Sequence, residues 1–251
     1  MNIVQISDTH IDPDHPSGAR RLEDLNRIVA AINELTPTPD VAIHTGDVAH
    51  NGTAEKYAAA LKIFDKLRCP LYIAAGNRDD RNLIQTNFCF GRALMPGTQF
   101  IQYEVDVSPV RLLALDTLSD VSNMGEFCGS RANSLRQALQ KSSEKPCALF
   151  MHHPPFEIQE SKYRWQFDSM AAIERLASAI EGQKNVIAVF CGHAHRVSKG
   201  VLAGVPATTV PSVALDLRLG EFPEGAVVSP VFYLHKFELG KGFKTELRIA
   251  Q

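Results

Sequence analysis

Ile3-Val4-Gln5-Ile6-Ser7-Asp8-Thr9-His10 sets the pattern of the chain: a short apolar run that reads as a strand, followed at once by a carboxylate and an imidazole. The pattern recurs four times. Val41-Ala42-Ile43 leads to Gly46-Asp47, and Leu71–Ala75 leads to Gly76-Asn77-Arg78-Asp79. Ala148–Met151 runs into His152-His153-Pro154-Pro155, and Val186–Cys191 into Gly192-His193-Ala194-His195. Each polar cluster follows the carboxyl end of a strand, where open α/β sheets place their sites.

Helical periodicity fills the intervals. Leu22, Leu25, Ile28, Val29, Ile32 and Leu35 recur at helical spacing until Pro37 and Pro39 end the run. Thr53 is placed to cap a helix carrying Tyr57, Leu61, Phe64 and Leu67 inward. Phe100–Val107 and Val110–Leu115 read as a hairpin turning at Ser108-Pro109. Helices are expected over Ser130–Lys141 and Ser169–Ile180, and paired β-rich stretches over 197–210 and 230–249. With no composition break, linker or repeat, the pattern predicts one α/β domain, 1–251, with two packed sheets and helices outside. Longer loops near 116–130, 153–168 and 211–229 are where substrate choice is expected to reside.

Composition narrows the class. The 251 residues carry 26 Lys+Arg against 28 Asp+Glu, a net charge of −2, and 45% are hydrophobic. That is too apolar and too weakly charged for a disordered chain, and it gives no long-range attraction to nucleic acid or anionic lipid. No apolar run is long enough to span a membrane. Five scattered cysteines (69, 89, 128, 147 and 191) read as buried thiols rather than a disulfide framework. Together with an N-terminus that shows no leader pattern, they make a cytoplasmic location the expectation.

Residues two apart in an extended segment project to one face, so Asp8 with His10, and His193 with His195, can each point a pair into one pocket. Glycines before Asp47, Asn77 and His193 permit close backbone approach. Mixed oxygen and imidazole donors suit Mn²⁺, Fe, Zn²⁺ or Co²⁺ better than Ca²⁺ or Mg²⁺ alone. Seven positions exceed one tetrahedral site and match two ions sharing a carboxylate. His15, His44 and His235 read as structural, and Cys191 as a buried neighbour.

The ordered set Asp8-x-His10, Gly46-Asp47, Gly76-Asn77, His152 and Gly192-His193-x-His195 resembles the calcineurin-like metallophosphoesterase superfamily over Ile3 to His195. Ile6-Ser7-Asp8-Thr9-His10, Thr45-Gly46-Asp47-Val48 and Asn77-Arg78-Asp79-Asp80 are most similar to its bacterial class III cyclic-nucleotide phosphodiesterases and glycerophosphodiesterases. The resemblance implies a four-layer αββα sandwich of two mixed sheets flanked by helices. It assigns Asp8, His10, Asp47 and His195 to one ion, and Asp47, Asn77, His152 and His193 to the other. It also implies hydrolysis of a small phosphodiester by a metal-held hydroxide.

Arg78 stands where the family usually has histidine; Arg78 and His153 are expected to contact phosphate oxygens beside Asn77, with His153 at the pocket edge and Asp79 holding a ligand imidazole. After Pro211-Ser212, Val213-Ala214-Leu215-Asp216 replaces a stretch in which the family's diesterases often carry a histidine. Alternatives are a UDP-diacylglucosamine-type pyrophosphohydrolase, for which Phe156, Ile158, Tyr163, Trp165 and Phe167 would have to form an acyl groove, a phosphomonoesterase, or a non-catalytic binding module. The expected partner is a small phosphoester, with no nucleic acid polymer. Homodimerisation through the C-terminal β region follows from the resemblance alone.

Overall fold

In a computed structural model, which describes residues 1–88, 94, 95, 97, 99–141 and 144–251, the apolar runs form eleven strands among the described residues. They are β1 (Asn2–Ile6), β2 (Val41–His44), β3 (Leu71–Ile73), β4 (Tyr103–Val107), β5 (Val110–Ala114), β6 (Cys147–Phe150), β7 (Val186–Cys191), β8 (Ser198–Leu202), β9 (Val205–Thr209), β10 (Val231–Glu238) and β11 (Gly242–Ile249). The helices are α1 (Gly18–Asn33), α2 (Ala54–Phe64), α3 (Arg81–Phe88), α4 (Gly129–Gln140), α5 (Met170–Ile180) and α6 (Glu224–Val227).

Two mixed sheets result, ordered β11-β10-β1-β2-β3 and β4-β5-β6-β7-β9-β8. Period-2 alternation explains how they stack. In β6, Ala148 and Phe150 join the core shared with the first sheet, whereas Cys147 and Leu149 pack with Leu135, Leu139, Ile173 and Leu176 of α4 and α5. Helices α1 and α2 cover the other side through Leu25, Ile28, Ile32, Ile63 and Phe64. Strands buried on both faces read as continuous apolar runs, and each fully buried Leu or Ile contributes about 1.5–3 kcal/mol. The expected four-layer α/β sandwich is observed.

Register places the site. Ile6 pairs with His44, and His44 with Ile73, so the loops carrying Asp8, Asp47 and Asn77 leave the first sheet side by side. Phe150 pairs with Phe190, which does the same for His152 and His193 in the second.

Several details depart from the periodic reading. Helix α2 buries Tyr57, Ala60, Ile63 and Phe64; Leu61 is only half-buried, and Leu67 lies beyond the helix end. Helix α3 was not expected: the Asp80 carboxylate accepts from the Leu83 backbone N–H (2.8 Å) and starts it as an N-cap does. Helix α6 occupies part of a stretch expected to be loop. Cys69, Cys147 and Cys191 are buried and Cys128 half-buried, all free thiols; Cys89 lies outside the described residues. No helix among the described residues is long and apolar enough to cross a membrane.

Candidate metal centre

The seven side chains singled out from the sequence converge at the strand ends, though not by the expected route. Asp8, His10, Asp47, His193 and His195 all have left-handed backbones, with φ of 55°, 44°, 56°, 65° and 55°. The pairs share a face because alternate residues turn left-handed, not because the segments are extended. Each such residue is disfavoured by roughly 1 kcal/mol or more, and strain of this kind collects at functional sites.

Close approach accounts for two glycines. A Cβ at Gly76 would lie 2.2 Å from the Asp47 backbone nitrogen, and one at Gly192 would lie 2.0 Å from Ser7 Oγ.

Asp47 lies between two groups of donors. Its Oδ2 is 3.4 Å from His10 Nε2, and its Oδ1 is 3.5 Å from His152 Nε2 while accepting from the Arg78 backbone N–H at 2.7 Å. On the first side, His195 Nε2 is 3.2 Å from Asp8 Oδ1 and 3.3 Å from His10 Nε2. On the second, Asn77 Oδ1 is 3.0 Å from His152 Nε2 and 2.9 Å from His193 Nδ1.

The hydrogen-bond partners fix the tautomers. His152 Nδ1 donates to the Thr45 carbonyl (2.8 Å) and His195 Nδ1 to the Leu217 carbonyl (3.0 Å); a carbonyl only accepts, so in each neutral ring Nε2 is the nitrogen that carries the lone pair. His193 Nε2 donates to Gln166 Oε1 (2.9 Å), which frees its Nδ1. Asn77 Nδ2 points to Asn123 Oδ1 at 3.5 Å, turning Oδ1 inward. The second side therefore gathers four acceptors (His152 Nε2, His193 Nδ1, Asn77 Oδ1 and Asp47 Oδ1), of which Asp47 Oδ1 takes the Arg78 backbone N–H. On the first side, Asp8 Oδ1 is buried without a hydrogen-bond partner. Converging acceptors suit a cation, so the donor set fits metal on both sides.

Charge agrees with geometry. Burial pushes the Asp8 carboxyl up, but His195, His10 and His152 together outweigh it and hold Asp8 well below the usual carboxylate range. Burial works against a charged His195, yet Asp8 and then Asp47 raise it above the ordinary histidine value.

Two residues behave differently from expectation. The Asp79 carboxylate does not hold an imidazole: it accepts from the backbone N–H groups of Val48 (3.3 Å), Ala49 (3.2 Å) and Gly76 (2.9 Å) and from the Tyr57 hydroxyl (2.9 Å). It ties the Asp47 loop to the Asn77 loop, and burial, followed by the Asp47 charge, pushes its carboxyl up to about 6. His153 is fully buried rather than at the pocket edge. It lies near His152 and His193, but its Nε2 donates to the Asn123 carbonyl (3.2 Å) and its Nδ1 faces the Thr117 hydroxyl (2.9 Å). Neither ring nitrogen is left for an ion. Burial, with the charges of His193 and His152, holds its imidazole well below the ordinary value.

The cleft over the cluster holds about 240 Å³ and is lined by His10, Asp47, His50, Asn77, Arg78, Asn123, His193, His195 and Leu217. His50, Asn123, Leu217 and Gln166 had no signal in local spacing, since each arrives on a loop whose path only the fold decides. Asp216 does not enter the cleft; it pairs with buried Arg21 at 2.7 Å, and Arg21 also donates to the His10 carbonyl. A larger cleft of about 710 Å³ opens between the β8–β9 and β10–β11 edges; its lining is mostly apolar and includes none of the cluster.

The sequence profile of the calcineurin-like phosphoesterases matches residues 1–197. The chain belongs to the calcineurin-like phosphoesterase family. It is 30% identical to a probable glycerophosphodiester phosphodiesterase of Arcobacter nitrofigilis, over 98% of this chain and 92% of the relative. It is also 30% identical to a probable cyclic nucleotide phosphodiesterase of Rhodopseudomonas palustris, over 90% of this chain and 83% of that one. A dimetal phosphatase from Danio rerio superposes with a TM-score of 0.74 at 14% identity, covering 100% of this chain and 99% of its own, which shows the shared fold. A calcineurin-like phosphoesterase is a metal-using hydrolase of phosphoric esters, and among the described residues the clustered His and Asp side chains could hold metal.

Proposed function

We propose that the chain, acting as one domain, hydrolyses a small phosphodiester with two metal ions. Asp8, His10, Asp47 and His195 hold one ion, and Asp47, Asn77, His152 and His193 hold the other. The observation that carries this reading is Asp47, whose two oxygens face opposite imidazoles, His10 and His152. When bound, the ions supply positive charge to the phosphoryl oxygens and acidify the attacking water.

The chain's own residues do the rest. Arg78 lines the cleft, and its guanidinium reaches Asn51 Oδ1 at 3.4 Å; it clamps a non-bridging oxygen but, being always charged, releases no proton to a leaving alkoxide. Asn77 Oδ1, turned inward by Asn123, helps hold the second ion, beside which the phosphoryl group lies. Phosphoryl transfer needs mainly positioning and charge neutralisation, which these rim residues supply.

A glycerophosphodiester fits better than a cyclic nucleotide. The cleft is small and lined by imidazoles, amides and Arg78, and among the described residues no Phe, Tyr or Trp lines it to stack a base. The pyrophosphohydrolase reading loses its groove: Phe156, Ile158 and Phe167 are buried in the core, leaving only Tyr163 and Trp165 exposed.

The test is hydrolysis by Mn²⁺-loaded protein of glycerophosphoethanolamine, 3′,5′-cyclic AMP, bis-nitrophenyl and nitrophenyl phosphate and UDP-diacylglucosamine, each with and without chelator. Chelator-sensitive turnover of the diesters above the monoester, with glycerophosphoethanolamine the best natural ester, is expected. Preference for the UDP-lipid or the monoester would overturn it.

A further inference from the structure

Among His152, His193 and His195, one imidazole has its tautomer set by a side chain. The Nδ1–H groups of His152 and His195 are held by the backbone carbonyls of Thr45 and Leu217. His193 instead donates its Nε2–H to Gln166 Oε1 at 2.9 Å.

Which end of the Gln166 amide faces His193 follows from its other bonds. The amide nitrogen donates to the Tyr163 carbonyl and to Ser161 Oγ (3.3 Å); the carbonyl can only accept, so the nitrogen must lie on that side. The oxygen is left for His193, and an amide oxygen cannot donate. His193 Nε2 therefore carries the proton, and Nδ1 presents its lone pair 2.9 Å from Asn77 Oδ1 and 3.1 Å from His152 Nε2.

Gln166 is well anchored for this task. It is 6% exposed, and its carbonyl accepts from the Gly125 N–H at 2.9 Å while the Gly125 carbonyl accepts from Asp168 N–H at 2.9 Å. The loop after β6 is thus stitched to the loop before α4, and the stitch ends on a candidate ligand.

We propose that Gln166 is a positioning residue that selectively controls the ion held by Asn77, His152 and His193, by fixing Nδ1 of His193 as the donor atom. This rests on the two-ion reading above. The ion on the Asp8, His10 and His195 side has no such dependence, because the Gln166 side chain bonds to Ser161, Tyr163 and His193 and to none of those three.

Partners of ligand imidazoles typically affect metal affinity by about 10–100-fold. Mn²⁺ titrated calorimetrically into chelator-stripped protein reads each ion separately. Wild type is expected to bind two ions; failure to do so would refute the two-ion reading and not the role of Gln166. Gln166→Leu, apolar and without an acceptor, is expected to weaken one ion by about 10–100-fold and leave the other unchanged. Gln166→Asn, too short to reach, should do the same, and Gln166→Glu, still an acceptor, should restore both. In a His193→Ala background, Gln166→Leu should add nothing. The proposal is overturned if Gln166→Leu and Gln166→Asn bind both ions as wild type does, if they weaken both ions equally, or if Gln166→Leu weakens binding further without the His193 imidazole.

Discussion

Nε2 of His152 and Nδ1 of His193 meet at 3.1 Å, and each is the unprotonated nitrogen of its ring. On the other side His10 Nε2 and His195 Nε2 approach to 3.3 Å. Lone pairs at such distances repel unless positive charge lies between them, so folding brings together groups that a cation must relieve.

Metal removal should therefore lower stability. A ligand bound only by the folded state at 1,000 times its dissociation constant adds about 4 kcal/mol. For a chain of this size that corresponds to roughly 8–16 °C in melting temperature. Thermal melts with Mn²⁺ and with excess chelator should differ by this order; equal melting temperatures would contradict metal relief of the cluster.

Asp79 has a structural duty that its position beside Arg78 conceals. Asp79→Ala strands three backbone N–H groups and the Tyr57 hydroxyl in a buried site, which should destabilise the protein by about 3 kcal/mol or more. Denaturant unfolding of the metal-free protein isolates this loss from metal binding. A change below about 1 kcal/mol would show that the two loops do not depend on this carboxylate.

Arg78→His bears on the leaving group. A histidine can supply the proton that an alkoxide needs and a nitrophenolate does not, so turnover of alkyl diesters should rise relative to nitrophenyl diesters by roughly tenfold or more. Measuring both substrates on both proteins decides the point, and equal changes would refute it.

His235 predicts an acid limit to stability. It is fully buried, stacked on Phe190 at 4.0 Å and bonded to Thr245 Oγ1 (2.8 Å) and Gln5 Oε1 (3.0 Å). Burial pushes its imidazole down to about 3 from 6.5, so the unfolded chain binds the proton more readily. Stability from this residue is complete above pH 6.5 and is lost as pH falls towards 3, by about 2 kcal/mol at pH 5. His235→Gln should flatten the unfolding free energy between these limits, and an unaltered slope would contradict the assignment.

The sequence disclosed the parts of this molecule that follow from local periodicity. Strand β7 has the bounds its apolar run predicts, Val186–Cys191, because a strand buried on both faces leaves an unbroken signal. The seven candidate ligands were legible because each follows a strand end. Their left-handed backbones were not, since Asp and His at φ near +55° are held by tertiary hydrogen bonds such as His193 N–H to Asp8 Oδ2 at 3.0 Å. His153 was misplaced because its adjacency to His152 says nothing about Thr117 and Asn123, which enclose it. Gln166 was unreadable for the same reason: its partner lies 27 residues away, across a loop with no periodicity.

Asp47 turns one oxygen to each side of the cluster: Oδ2 faces His10 Nε2 at 3.4 Å and Oδ1 faces His152 Nε2 at 3.5 Å. The most direct measurement is metal content by elemental analysis of wild type and Asp47→Ala, paired with bis-nitrophenyl phosphate hydrolysis. Two ions per chain in wild type, weakened binding of both in the variant and loss of chelator-sensitive turnover are predicted. A variant that keeps two ions and near-wild-type turnover would contradict the shared carboxylate and the two-ion centre built on it.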